Sequence, residues 1–308
     1  METTKPILSE ELKKLKSIKA KKAMPNSGEI EAIGIKSLEG SKQAVEKTEG
    51  FTPEYLDVEF IPKAVKNTKF IDRETFMQEK GSKTIFGPDQ RTVYNSMAYP
   101  WNCVGKIQTE LGVASGVMIG PRHVLTCAHV IKFLTNGNTG WVKFSPMYYN
   151  GANPTYGTAS SIKTFYKYKV SGPTIDATES KFDYAVVVLD RNLGNTTGWM
   201  GTSAYTDSWD GGAYWTHAGY PMDLTAAERP IYQSIIALNG DDSTTDRAQA
   251  LYHTGDVWPG QSGGPFWGYW GTTPNVVAVQ SWQNTSTNAA SGGSDMVDLV
   301  NQALTQFP

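Results

Sequence analysis

The chain has 308 residues, which is long enough for two domains and a sizeable core. Its formal net charge of −2 gives no reason to expect nucleic acid or an anionic membrane as a partner. No segment is apolar over the length of a bilayer, and the first residues lack the apolar core of a secretory signal. Either a signal has been removed, or export would use another route.

The first 83 residues differ in composition from the rest of the chain. They carry 16 Lys+Arg and 14 Asp+Glu, whereas residues 84–308 hold the remaining 12 and 16, together with all nine Trp. Such a step marks a domain boundary near residue 83. We therefore expect a propeptide-like segment, with a charged amphipathic helix over residues 10–19. The alternative is a disordered, solvated tail.

Beyond this boundary, short apolar runs between turn residues predict a mostly β protein. A helix is expected over 294–307, where apolar side chains recur at helical spacing and Ser294 can cap the first turn. We expect its apolar stripe to pack on the core. The predicted strands lie within 115–126, 141–144, 184–189, 214–218, 231–238 and 276–279.

His129 is the candidate general base. Residues 115–126 read as strand, turn and strand and lead directly into residues 126–129 (Thr-Cys-Ala-His), so a histidine at the end of a hairpin would be held rigidly. His123 lies at the hairpin turn and is expected to be exposed. The other two histidines have no comparable partner motif.

Asp183 is the candidate partner of this histidine. It stands directly before the apolar run 184–189, which is typical of a buried strand. A carboxylate at the mouth of a buried strand is costly unless a group such as an imidazole N–H pairs with it. Asp176, in a polar loop, and Asp190, which follows the strand, are rival candidates.

Ser262 is the candidate nucleophile, within residues 260–265 (Gly-Gln-Ser-Gly-Gly-Pro). A serine hydroxyl attacks a carbonyl only when a neighbouring imidazole takes its proton. The glycines allow a turn in which the N–H groups of Gly260 and Ser262 point at one position, as an oxyanion hole requires. The alternative is an ordinary Gly-Ser surface loop.

These three motifs together resemble those of chymotrypsin-type serine endopeptidases. Residues 126–129 are similar to the family's Thr-Ala-Ala-His, residues 183–186 (Asp-Tyr-Ala-Val) to its Asp-hydrophobic-Ala-hydrophobic strand, and residues 260–265 to Gly-Asp-Ser-Gly-Gly-Pro. The chain order of His, Asp and Ser also agrees. The resemblance covers about residues 84–308, and the three motifs are specific only in combination.

Within the family, the chain is most similar to the secreted microbial branch that includes the glutamyl endopeptidases. Residues 85–93 (Ile-Phe-Gly-Pro-Asp-Gln-Arg-Thr-Val), followed by residues 99–101 (Tyr-Pro-Trp), resemble the mature start of those enzymes. This resemblance implies a secreted, extracellular protein made as a zymogen, whose signal has been removed. It makes residues 1–83 a propeptide, with the linker 80–84 as the expected cut site.

The resemblance implies an all-β fold: two six-stranded antiparallel β-barrels with the active site between them, plus a C-terminal α-helix. The first barrel, residues 84–200, would hold His129 and Asp183; the second, residues 201–308, would hold Ser262 and the specificity pocket. The protein would be a monomer that hydrolyses protein or peptide substrates through an acyl-enzyme. No cofactor or metal is expected, since no Cys/His cluster has metal-ligand spacing.

The resemblance also indicates substrate-binding residues. Asp256 stands six residues before Ser262, where trypsins carry the carboxylate that binds Lys or Arg. Gln280 stands where glutamyl endopeptidases place a histidine, so recognition of glutamate would lose its main cationic donor. Ser281 and Trp282 match the edge that pairs with the substrate backbone. We therefore expect cleavage after Lys or Arg, with a glutamate-specific endopeptidase as the alternative.

Gln261 departs from the family pattern. Many animal relatives have aspartate before the nucleophilic serine, and this aspartate pairs with a newly cut N-terminal amine to activate the zymogen. A glutamine has no charge for that purpose. Activation here is instead expected to require removal of a propeptide that blocks the cleft or misplaces the N-terminus.

Cys103 and Cys127 lie on strands that would be neighbours in the inferred barrel, so a disulfide between them is expected. The alternative is two buried free thiols. Two other functions stay open: a catalytically weak, protease-like binding protein or toxin, and an esterase. An esterase of the nucleophile-elbow type needs a histidine after the serine, and no histidine follows Ser262.

Overall fold

The structure, a computed structural model, describes residues 5–15, 46–65, 85–135, 137–170, 174–241, 247–284 and 286–308. The strands are β1 (Lys47–Thr48), β2 (Thr92–Val93), β3 (Val104–Thr109), β4 (Gly112–Met118), β5 (His123–Thr126), β6 (Val142–Pro146), β7 (Ala159–Tyr166), β8 (Ala185–Leu189), β9 (Gly201–Ser203), β10 (Trp215–Gly219), β11 (Ile231–Ile236), β12 (Gln249–His253), β13 (Pro265–Trp270), β14 (Thr273–Gln283) and β15 (Asn288–Gly292). The helices are α1 (Ser9–Leu12), α2 (Glu179–Phe182), α3 (Gly194–Thr197), α4 (Met222–Thr225) and α5 (Ser294–Gln306). In these residues, no helix is both long enough and apolar enough to cross a membrane.

Six strands close into an antiparallel barrel in the order β3-β4-β5-β8-β7-β6. Strand β8 pairs with β5 and β7, and all five of its residues are buried. Helix α5 contacts its outer side. A strand covered on both faces requires an uninterrupted apolar sequence, which is why the run at 184–189 lacks alternation.

The second half of the chain forms a larger sheet in which β11, β10, β13, β14, β15 and β12 follow one another as antiparallel neighbours. An isolated bridge between Asn239 and Tyr252 links the chain after β11 to β12, which brings the two ends of this series together. The short strands β1, β2 and β9 extend the sheet to nine. The all-β prediction of two barrels followed by a helix is confirmed.

The described parts of the N-terminal segment pack on the body of the protein. The backbone N–H of Ile7 donates to the carbonyl of Tyr269 at 2.9 Å, and β1 pairs with β9. Leu12 and Phe60 are buried. The predicted helix over 10–19 differs from the structure, which has a single turn at Ser9–Leu12; residues 16–19 lie outside the described residues.

Helix α5 confirms the helix predicted at the C-terminus and covers part of the first barrel. Gly293 is its cap residue and Ser294 its first helical residue, so the expected capping by the Ser294 side chain is wrong. The exposure expected for His123 is also wrong, because this residue begins β5 and is fully buried. Burial lowers the pKa of His123 to about 4.

The predicted disulfide is absent: Cys103 and Cys127 are both free and buried. Cys103 precedes β3 and Cys127 follows β5, but β4 lies between these strands. Two strand spacings amount to about 9.6 Å, whereas a disulfide needs Cα atoms within about 7 Å. The Cys103 thiol instead lies 3.5 Å from the carbonyl of Thr197.

Candidate active site

The imidazole of His129 and the carboxylate of Asp183 meet at one end of the first barrel. Strands β5 and β8 pair so that Thr126 lies opposite Ala185. A 3-10 turn at Ala128–Val130 then carries His129 across the barrel end to Asp183, which directly follows α2. Nδ1 of His129 lies 2.7 Å from Oδ2 of Asp183, and the backbone N–H of His129 donates to Oδ1 at 2.8 Å.

Asp183 is fully buried, yet it remains ionised because donors surround it. In addition to the two groups of His129, the hydroxyl of Ser281 donates to Oδ2 at 2.6 Å. Burial by itself raises the pKa of Asp183, but the imidazole and these hydrogen bonds outweigh burial and lower it. Burial disfavours the charged form of His129, whereas the carboxylate holds the pKa of His129 well above its ordinary range.

The rival aspartates lie elsewhere and have local roles. Asp176 is exposed and accepts the backbone N–H groups of Thr178 and Glu179, both at 2.8 Å, at the start of α2. Asp190 is exposed after β8 and accepts the N–H of Ser160 at 3.1 Å. Neither has a hydrogen bond to an imidazole among the described residues.

Ser262 lies in a turn that abuts the end of β5. A Cβ atom on Gly263 would collide with Oγ1 of Thr126 and lie 2.8 Å from the backbone nitrogen of Cys127, so the close approach requires glycine. The N–H of Ser115 on β4 donates to the carbonyl of Ser262 at 2.8 Å. The partly exposed serine is therefore held beside the segment that leads to the imidazole.

Two backbone N–H groups of this turn are free of internal acceptors. The N–H of Gln261 donates to the carbonyl of Trp258 at 3.0 Å, and those of the two residues after Ser262 donate to the carbonyls of Gln280 and Gln261. The N–H groups of Gly260 and Ser262 donate to no group in the part of the chain that the structure describes. They are the donors that an oxyanion hole requires.

Ser115 holds this turn from the first barrel, and sequence reasoning missed it. Its fully buried hydroxyl donates to the carbonyl of Gly260 at 2.8 Å and accepts the N–H of Tyr220 at 2.9 Å. The partners of this hydroxyl are more than one hundred positions away in the sequence. No local pattern around a serine in a strand could have indicated this role.

The sequence predicts Asp256 at the base of a specificity pocket, but in the structure its carboxylate accepts hydrogen bonds from protein backbone. Oδ1 accepts the N–H of Phe86 at 2.9 Å, and Oδ2 accepts the N–H of Gln90 at 2.8 Å. The side chain is buried, and burial raises the pKa of Asp256 in spite of these two donors. Both oxygens are therefore engaged by residues 85–90.

The carboxamide of Gln280 is also engaged internally. Its Oε1 lies 3.0 Å from Nε2 of His253, and its Nε2 donates to the carbonyl of Trp282 at 2.9 Å. Burial lowers the pKa of His253 to about 4, so this imidazole is neutral. Its Nδ1 accepts the N–H of Gly255, which leaves Nε2 as the protonated nitrogen that donates to Gln280.

Cys127, His129 and Asp183 form a group whose potential metal-ligating atoms all lie within 4.8 Å of one another. Sγ of Cys127 is 3.7 Å from Nε2 of His129. However, Nδ1 of His129 bonds to Oδ2 of Asp183, which also accepts from Ser281, and Oδ1 of Asp183 accepts the backbone N–H of His129. A metal ion would find two free ligands, whereas a catalytic zinc site has three.

The sequence matches known proteins over the part that carries this site. Residues 114–271 match the family model of the trypsin-like peptidase domain. Over 214 residues the chain is 33% identical to a glutamyl endopeptidase of Bacillus licheniformis. This match covers 69% of the present chain and 63% of that protein, so the chain spans less than two thirds of its relative's length.

Two solved structures of proteases have the same fold as this chain. A Glu endopeptidase in complex with MPD has a TM-score of 0.57 at 20% identity, covering 72% of this chain and 100% of that one. The protease Anisep from Arthrobacter nicotinovorans has a TM-score of 0.52 at 21% identity, with coverages of 70% and 99%. At such identities the likeness is one of fold.

Proposed function

Because its residues 114–271, just over half of its length, match the family model, the chain belongs to the trypsin-like peptidase family, and we propose that it is a serine endopeptidase that acts through Ser262, His129 and Asp183. The observation that carries the proposal is the 2.7 Å contact between Nδ1 of His129 and the buried Asp183, together with the close approach of Gly263, next to Ser262, to Cys127. The open N–H groups of Gly260 and Ser262 support an oxyanion hole in the same turn.

Each group has a defined role in the proposed reaction. His129 takes the proton of Ser262 at Nε2 as the hydroxyl attacks the peptide carbonyl. Asp183 stays ionised and stabilises the imidazolium, while the two free N–H groups stabilise the oxyanion. His129 then protonates the leaving amine, and water hydrolyses the acyl-enzyme. Losing one oxyanion donor would cost about 10²–10³ in rate.

The test is hydrolysis of casein by the processed protein and by Ser262→Ala. We expect the variant to fold normally and to lose about 10⁶-fold in kcat. Ser208→Ala, at an exposed serine outside the site, is the matched control and should keep full activity. Equal activity in the parent and in Ser262→Ala would refute the proposal. A parent that binds casein without cleaving it would support a protease-like binding protein instead.

Two specificities compete, and each has its own support. The buried carboxylate of Asp256 supports cleavage after Lys or Arg, whereas similarity to the glutamyl endopeptidase of Bacillus licheniformis supports cleavage after Glu. The engagement of both Asp256 oxygens by backbone N–H groups favours the second candidate, since a basic side chain would have to displace or share them. The internal bonds of Gln280 leave the glutamate-binding donor unassigned.

A peptide library resolves this choice, with Asp256→Asn as the informative variant. The isosteric amide still accepts one backbone N–H through its oxygen but lacks the charge that attracts a basic side chain. An enzyme specific for Lys or Arg should lose that preference in the variant, whereas an enzyme specific for Glu should keep its preference.

We also propose that the protein is secreted and made as a zymogen, with residues 1–83 as a propeptide, 84–200 as the first barrel domain and 201–308 as the second. The mature-like start at residue 85 and the extracellular character of the similar branch support this proposal. The described residues 5–15 and 46–65 bond to β2, β9, β13 and neighbouring loops, and within the described residues no hydrogen bond joins them to His129 or Ser262. N-terminal sequencing of the active form should find a start within residues 81–86; a start far from there would contradict it.

A further inference from the structure

Residues 85–93, here called the anchor segment, contact the loop that carries Ser262. This nucleophile loop comprises residues 256–264. The carboxylate at its first residue accepts two backbone N–H groups of the anchor segment, as described above. Near its other end, Nη1 of Arg91 donates to Oε1 of Gln261, directly before Ser262, at 2.9 Å. One stretch of chain therefore holds the nucleophile loop at two points.

Arg91 is fully buried and its charge is balanced on two sides. Nε and Nη2 donate to the carboxylate of Asp89 at 3.0 and 2.8 Å. Nη1 and Nη2 donate to that of Asp223 at 3.1 and 2.6 Å. Burial lowers the pKa of Arg91, but the two carboxylates outweigh it and raise the pKa, so the guanidinium keeps its charge.

Gln261 connects the guanidinium of Arg91 to other residues of the nucleophile loop. Its Oε1 accepts a second hydrogen bond from the N–H of Trp258 at 3.0 Å, and its Nε2 donates to the carbonyl of Asp256 at 3.3 Å. A guanidinium can only donate, so Arg91 determines which end of the carboxamide faces it. The carboxamide therefore ties together the stretch of loop that precedes Ser262.

The same loop contains the proposed oxyanion donors. The carbonyl of Pro259 accepts the N–H of Met222 at 2.9 Å. Because the peptide group is planar and trans, this bond turns the N–H of Gly260 to the opposite side, away from Met222. Gln261 follows Gly260 and precedes Ser262, so its side chain anchors the backbone between the two free N–H groups.

We propose that Arg91 is a positioning residue for the nucleophile loop, and that through Gln261 it does what a newly cut N-terminal amine does in animal relatives of this fold. This inference rests on the proposed function. Arg91 lies within the chain, so its contact with Gln261 does not depend on the formation of a new terminus. Processing is then not required to orient the oxyanion donors, because an internal cation already orients them.

The test compares Arg91→Met with Lys106→Met in the processed enzyme. Lys106 is likewise a buried cation, paired with Glu228 at 2.7 Å, but it has no contact with the nucleophile loop among the described residues. Activity is divided by the concentration of active sites, which is measured by titration with a fluorophosphonate. We expect kcat of Arg91→Met to fall about 10²-fold, as for a lost oxyanion donor, with KM nearly unchanged. Lys106→Met should lose stability and keep kcat.

Three further measurements separate positioning from general stability. A peptide aldehyde, whose tetrahedral adduct needs the oxyanion donors, should bind Arg91→Met more weakly by the same factor, while a product peptide binds equally well. Arg91→Lys should recover part of kcat, since an ammonium keeps the charge but not the planar arrangement of several N–H donors. If Arg91→Met does not fold, Gln261→Ala leaves both ion pairs of Arg91 intact and should show the same loss of kcat.

The inference is overturned if kcat per titrated site in Arg91→Met and Gln261→Ala stays within threefold of the parent, or if Lys106→Met shows an equal loss. It is also overturned if kcat of the parent falls between about pH 8 and about pH 10, where an N-terminal amine loses its charge and a guanidinium does not. A parent without peptidase activity would instead refute the proposed function, so the two failures are distinguishable.

Discussion

The two sides of the candidate site are built in different ways. His129 follows β5 and Asp183 precedes β8, which are adjacent strands of one barrel, and the two side chains orient each other directly. The nucleophile loop is instead held by groups from three other places: Ser115 in the first barrel, Met222 in α4, and Arg91 in the anchor segment. The geometry of His129 and Asp183 therefore depends on the pairing of two strands. The geometry of the nucleophile loop can instead be disturbed by substitutions at remote positions.

Removal of the reacting groups should cause the largest loss of kcat, and this loss should be equal for the base and for the nucleophile. Ser262→Ala and His129→Ala are each expected to lower kcat about 10⁶-fold, and the double variant should be no worse than either, because the two groups act as one unit. Kinetics of all three variants on one peptide substrate measure this. Additive losses would contradict a shared reaction step.

Asp183→Asn probes the base side alone. We expect kcat to fall about 10⁴-fold with the fold intact. The carboxylate raises the pKa of His129, so its removal lowers that pKa. Because the neutral imidazole is the active form, the acid limb of the residual activity should move to lower pH. A pH profile of kcat/KM checks the sign, and a limb that moves upward would contradict the account.

Ser115→Ala probes the nucleophile side with a smaller effect. Removing hydrogen bonds to Gly260 and Tyr220 should lower kcat about tenfold and cost about 1–3 kcal/mol of stability. Ser145→Ala is the matched control: its buried hydroxyl bonds to that of Thr158 at 2.7 Å in the first barrel. It should lose similar stability and keep its activity. Equal losses of kcat would mean that Ser115 has no specific role.

Cys127→Ala should have the smallest effect. The thiol lies 3.7 Å from Nε2 of His129, but the chymotrypsin-type motif that the chain resembles carries alanine at this position. We expect activity within about threefold of the parent, because the substitution removes only a weak donor. Thiol titration of the unfolded, unreduced protein should find two thiols, as both cysteines are free. Finding none would restore the disulfide.

Features of the fold could be predicted where the interactions that form them join residues close together in the sequence. The apolar runs at 184–189 and 231–238 indicated β8 and β11, since strand pattern is local. In contrast, β7 and β12 were missed: β7 is mostly half-buried, and β12 contains Gln249 and His253 among its buried positions. Pattern alone does not identify such strands.

The site shows the same division. The motifs around His129, Asp183 and Ser262 could be recognised because each is a short stretch of adjacent residues. The contacts of Ser115 and Arg91 with the nucleophile loop could not, since the residues that they contact there lie more than one hundred positions away and only the fold brings them together. The disulfide prediction was wrong for a related reason: it assumed that two strands were neighbours, and β4 separates them.

The most direct measurement is covalent labelling of the processed protein with a fluorophosphonate, followed by mass spectrometry of its peptides. A serine made nucleophilic by an adjacent imidazole should form one adduct, on the peptide that contains Ser262, and His129→Ala should abolish it. An unlabelled parent, or labelling of Ser262 that is unchanged in His129→Ala, would contradict the account.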